Sequence, residues 1–153
     1  MPSPRRLAFL LSLALLAPVP ALARDAAAPA VDKDQRFFEV STEGSSSRLK
    51  AGEQGTFVLT VRTRSGAYVS EEAPLKLLLQ SARLAPAKAR LGQQDSVARK
   101  QPGQAHVDPR FEVPFTAASA GSATLEAKLT FFLCMEDRCE RKERTLSLPV
   151  EVL

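Results

Sequence analysis

The chain has 153 residues, a formal charge of +4, eight Phe, one Tyr and no Trp. Its basic residues are spread along the chain, so composition gives no argument for nucleic acid or an anionic membrane surface as partner. A single histidine and two cysteines make a closed zinc site, which takes four ligands, poorly supported, and no C-x-x-C-H run is present for haem.

The N-terminus reads Met1-Pro2-Ser3-Pro4-Arg5-Arg6, then the apolar run from Leu7 to Ala17, then Pro18-Val19-Pro20 and Ala21-Leu22-Ala23. A basic start, a short apolar stretch, a helix-breaking proline and small residues at A-x-A spacing predict a signal peptide over residues 1–23. The apolar run is short for a bilayer span and no second one follows. No cysteine follows the small residues to accept a lipid. A mature chain starting near Arg24 is therefore expected outside the cytoplasm, periplasmic or extracellular, without stable membrane insertion. Losing Arg5 and Arg6 takes Lys+Arg from 21 to 19 against 17 Asp+Glu, and the charge from +4 to +2.

Residues 24–36, rich in Ala, Asp and Pro, read as a flexible lead-in to one domain over 37–153. Phe37 to Val40 forms a first short strand, and Ser41 to Ser47 a loop. After a turn at Lys50–Gly55, Phe57, Leu59 and Val61 share one face of a strand over Thr56–Thr63. Ser65-Gly66 makes the next turn, and Ala67-Tyr68-Val69 begins another strand. Pro74 to Gln80 is apolar enough for a strand, with a helical turn left open by pattern alone.

Ser81 to Gln104 shows no sustained alternation and reads as a long connection. Within it Leu84 and Leu91 are expected to touch the core, Ala85–Leu91 to form a short helix, and Arg99 and Lys100 to be solvated. Order returns at His106, itself a surface or strand-edge residue. Phe111, Val113 and Phe115 alternate with Arg110, Glu112 and Pro114, which predicts an edge-like strand because proline cannot donate to a ladder. After the turn Ala117–Gly121 comes the longest alternation, with Ala123, Leu125, Ala127, Leu129, Phe131 and Leu133 on one face. Leu146, Leu148, Val150 and Val152 alternate in the last strand. Many short strands with turn residues between them predict an all-β, antiparallel β-sandwich.

The two terminal strands form a hairpin whose connection carries Cys134 and Cys139. Two cysteines in an exported chain suit one disulfide, and a hairpin brings residues this close in sequence within reach of a bond. So small a loop contributes only about 2 kcal/mol, an inefficient way to stabilise a whole domain. Cys134 falls on the strand parity opposite the core-facing Leu133, which predicts an accessible bond. Arg138, Arg141 and Lys142 favour a thiolate there, whereas Glu136, Asp137 and Glu140 oppose it. The residues alone leave two readings open, a hairpin staple in a binding or structural module and a redox pair; the first is the commoner use of exported disulfides.

The C-terminal third resembles a known family. Phe111-Glu112-Val113-Pro114-Phe115, the turn through Gly121, Leu129-Thr130-Phe131-Phe132-Leu133-Cys134, then Cys139 and Thr145-Leu146-Ser147-Leu148-Pro149-Val150 are similar to the N-terminal periplasmic domain of the thiol:disulfide interchange protein DsbD. Gly66-Ala67-Tyr68-Val69 resembles that family's glycine-tyrosine strand. The resemblance implies an immunoglobulin-like sandwich, here as a stand-alone domain, and a redox-active pair with no cofactor. It implies a thioredoxin-like donor and oxidised periplasmic proteins as partners. By position, Cys139 is the exchange cysteine and Cys134 its resolving partner. The region matching the family's cap loop, Leu91 to Lys100, holds no aromatic residue.

Overall fold

The computed structural model describes residues 33–153. The expected signal peptide and the lead-in as far as residue 32 lie outside them. The last four residues of the expected lead-in, Lys33–Arg36, form a 3-10 turn. Its Asp34 carboxylate accepts hydrogen bonds from Lys142 Nζ at 3.0 Å and Arg144 Nη2 at 3.1 Å. Burial pushes the Asp34 carboxyl up, but the bonds to Lys142 and Arg144 outweigh this and hold it below the usual value.

Ten strands follow: β1 Phe38–Ser41, β2 Arg48–Leu49, β3 Gln54–Thr63, β4 Tyr68–Val69, β5 Lys76–Gln80, β6 Leu84–Pro86, β7 Arg90–Leu91, β8 Arg110–Ala117, β9 Gly121–Cys134 and β10 Cys139–Val152. One sheet has the order β1-β3-β8-β6; the other runs β2-β10-β9-β5-β7, with β4 also paired to β9. All pairings are antiparallel except that of β2 with β10. The molecule is an immunoglobulin-like β-sandwich.

The period of two explains the core. Phe57, Leu59 and Val61 of β3 and Phe111, Val113 and Phe115 of β8 face inwards and are at most 2 % exposed. Leu125, Ala127, Leu129, Phe131 and Leu133 of β9 are fully buried opposite them. Each Leu, Val or Phe so removed from water stabilises the fold by about 1.5–3 kcal/mol. Gly55 lies directly across from Phe115, and a Cβ there would come 2.6 Å from the ring's Cζ. Only glycine leaves room for that ring over the neighbouring strand.

Three expectations from sequence change. Ala85–Leu91 is not a helix: Leu84 and Leu91 do reach the core, but from β6 and β7, so the long connection is partly sheet. β8 is not an edge strand, since it lies between β3 and β6. Pro114 is tolerated because its backbone faces β6 just where β6 ends; its carbonyl accepts from the N–H of Ala87, beyond Pro86. Arg99 and Lys100 are engaged. Arg99 donates to the Ser96 and Ala98 carbonyls, and Lys100 pairs with Glu71 at 2.9 Å.

Candidate functional site

β9 and β10 pair in register over their whole length, ending with Cys134 opposite Cys139. The Met135 N–H donates to the Arg138 carbonyl at 2.8 Å, leaving Glu136 and Asp137 at the tip. The next pair inwards is thus of the non-hydrogen-bonded kind, where backbones approach most closely. Cys134 and Cys139 occupy that pair with Cα atoms 3.9 Å apart, and their sulfurs are bonded. The disulfide follows directly from the register that the alternating apolar residues impose.

The two halves of the bond are unequally placed. Cys139 is exposed, whereas Cys134 is only 2 % exposed. The parity argument puts Cys134 on the face opposite Leu133, and the register agrees; the bond is open there on its Cys139 side, while Cys134 itself is covered. On that outer face Cys134 has Cys139 across from it on one side and Tyr68 of β4 on the other. The Ser65-Gly66 turn delivers Tyr68 there. Both residues take left-handed φ values, 55° and 77°, and the Ala67 N–H donates back to the Arg64 carbonyl as the chain passes from one sheet to the other.

Tyr68 is covered in turn by His106, whose ring stacks on it at 3.7 Å between centroids and 8° between planes. Both rings line a cleft of about 360 Å³ together with Cys134, Cys139, Glu71 and Lys100. The Glu71 carboxyl is held below the usual range chiefly by its hydrogen bond to Lys100. This ion pair and the stack tie the segment around residues 100–106 to β4 and the loop after it, beside the sulfurs. Two aromatic rings, Tyr68 and His106, thus line the cleft beside the disulfide.

Around the tip, charges cancel rather than favour one sign. Arg138 bonds Glu140 at 2.7 Å, Glu140 also takes Lys142 at 2.8 Å, and Arg141 pairs with Glu143 at 3.2 Å. Lys142 and Arg138 together hold the Glu140 carboxyl below its ordinary value.

No family model and no curated protein matches this sequence. Solved structures resemble it in fold alone. A cohesin module from a Clostridium perfringens family 33 glycoside hydrolase covers 76 % of this chain and 97 % of its own at 9 % identity and a TM-score of 0.44. The ASH/PapD-like domain 7 of human CEP192 covers 94 % and 96 % at 8 % identity and 0.41. A lipoprotein from Bacteroides thetaiotaomicron covers 72 % and 78 % at 17 % identity and 0.41. Among the described residues no helix is long and apolar enough to cross a membrane.

The sequence singled out both cysteines but not their cover. Tyr68 was visible as part of a short strand and His106 only as an isolated surface residue; nothing in their spacing announces a stack. Removing it has a measurable consequence. His106→Ala strips the outer ring from the stack, an aromatic contact worth about 0.5–1.5 kcal/mol. Reduction of the disulfide by dithiothreitol in the native protein is expected to speed up by a few-fold to about tenfold, measured by quenched thiol labelling. An unchanged rate would show that the stack does not limit access.

Proposed function

We propose that this chain is an exported thiol–disulfide exchange module, passing reducing equivalents through Cys134–Cys139 from a thioredoxin-like donor to oxidised exported proteins. The observation that carries this reading is the unequal exposure of the two bonded cysteines at the tip of a hairpin. A structural staple needs neither half at the surface; exchange needs one sulfur in reach of an incoming thiolate. The resemblance of the C-terminal third to the DsbD N-terminal domain supports the same reading.

In this scheme a donor thiolate attacks the Cys139 sulfur. A mixed disulfide forms, the Cys134–Cys139 bond breaks, and the electron pair passes to Cys134, which takes a proton from water. The donor's second thiol then attacks its own sulfur in the mixed disulfide, leaving the donor oxidised and both cysteines reduced. The reduced pair runs the same steps in reverse on an oxidised protein, Cys139 attacking and Cys134 resolving. Two electrons move in each half and no cofactor takes part.

The deciding measurement is the reduction potential of the bond in the folded protein, by equilibration with glutathione. A value well above about −300 mV is expected; one below it, or a bond reducible only after unfolding, belongs to a staple.

A further inference from the structure

β10 pairs with β9 along its whole length but with β2 only at Glu151 and Val152. The Met135–Arg138 bond sets the phase of the ladder. Even-numbered residues of β10 turn their N–H and C=O towards β9, and odd-numbered ones turn them away. At the far end this holds: the N–H groups of Glu151 and Leu153 donate to the Ser47 and Leu49 carbonyls, both at 2.8 Å. Pro149, also odd, lacks its N–H on that outer side, where no ladder bond is lost. From Cys139 to Ser147 the outward groups form an open strand edge among the described residues. Only the Glu143 carbonyl has a partner there, Arg144 Nη1 at 2.8 Å, and it keeps a second lone pair.

Open edges are usually guarded by charge. A run of one sign repels any incoming strand. The run here, Glu140-Arg141-Lys142-Glu143-Arg144, mixes both signs and is nearly complementary to its own reverse. We infer that this edge docks a second copy of the chain, the two β10 strands pairing antiparallel about a two-fold axis at Lys142. In that register Arg141 of each copy faces Glu143 of the other, and Glu140 faces Arg144. Lys142 alone meets its own kind, and each Lys142 is already bonded to Glu140 and Asp34. Because the axis passes through a residue, odd-numbered residues face odd-numbered ones, and the rungs Cys139–Thr145 and Arg141–Glu143 put outward N–H and C=O groups opposite each other, alternating with non-hydrogen-bonded rungs. Two six-stranded sheets become one.

The inference stands apart from the redox reading. In this register each Cys139 lies opposite Thr145 of the other copy, so the two disulfides are roughly 20 Å apart at about 3.4 Å per residue and are not linked.

Sedimentation equilibrium of the purified protein over a concentration series tests it. A two-chain mass is expected at high concentration. Arg141→Glu sets like charges across the axis and is expected to weaken association at least about tenfold. Adding Glu143→Arg to it restores opposite charges and returns association to near the original value. Thr145→Pro removes an outward N–H without touching a β9 bond, as Pro149 already does, and abolishes pairing while the circular dichroism spectrum is kept. A one-chain mass at every concentration overturns the inference, as would association indifferent to Arg141→Glu and Thr145→Pro or an extended segment of another protein found on the edge.

Discussion

Replacing Cys134 with serine is expected to turn the protein into a trap, while replacing Cys139 is not. In Cys134→Ser the remaining thiol belongs to an exposed residue at a hairpin tip. It can attack the disulfide of an oxidised exported protein, or of a thioredoxin-like donor in its oxidised form, and this chain has no second thiol left to resolve the mixed disulfide. In Cys139→Ser the remaining thiol lies on a residue only 2 % exposed, flanked by Tyr68 and sharing its cleft with His106. Collision with a protein disulfide there requires the cover to move first. Non-reducing electrophoresis should show mixed disulfide accumulating at least about tenfold more in Cys134→Ser than in Cys139→Ser, because exchange rates follow access to the attacking sulfur. Both variants are expected to lose the proposed relay, since two electrons need both sulfurs. Both also lose the same small-loop bond, about 2 kcal/mol or less, so a difference between them is not one of folding. Equal trapping by the two, or none by either, would remove the asymmetry on which the exchange reading rests.

That asymmetry was only half legible in the sequence. Alternation identified β3, β8, β9 and β10, their inward faces and the pairing of the cysteines, because long half-buried strands must repeat every two residues. The same parity assigned Cys134 to the outer face. Parity, however, says which way a side chain points and not whether another segment lies over it. The segment that does so, around Lys100 to His106, has no periodicity and is held by the Glu71 ion pair and the ring stack. β6 and β7 were missed for a related reason. They are three and two residues long, too short to show a period. Their buried Leu84 and Leu91 stand seven apart, a spacing that fits two helical turns equally well, and the Ala, Lys and Arg between them are good helix formers. Tertiary pairing with β8 and β5 overrides that local preference.

The largest expected loss of stability is at Phe131, on the face of β9 opposite the disulfide. Its ring is fully buried and meets Phe38 edge to face, 5.2 Å between centroids and 87° between planes. Phe38 in turn lies under the Arg144 guanidinium at 4.6 Å, and Arg144 holds Asp34 of the 3-10 turn. Phe131→Ala therefore leaves a ring-sized cavity between the sheets and removes the support of β1 and the turn before it. A cost of about 3–5 kcal/mol is expected, a large share of the roughly 5–15 kcal/mol that holds a domain folded. The urea midpoint should fall with little change in slope. Phe38→Ala removes the other half of the pair, so the double variant should cost less than the sum of the singles by about 0.5–1.5 kcal/mol. Because Phe131 and the disulfide lie on opposite faces, the rate of disulfide reduction in the fraction that remains folded is expected to be unchanged. A Phe131→Ala protein that keeps its stability but loses exchange would mean that the core face and the disulfide face are coupled, contrary to what the pleat of β9 dictates.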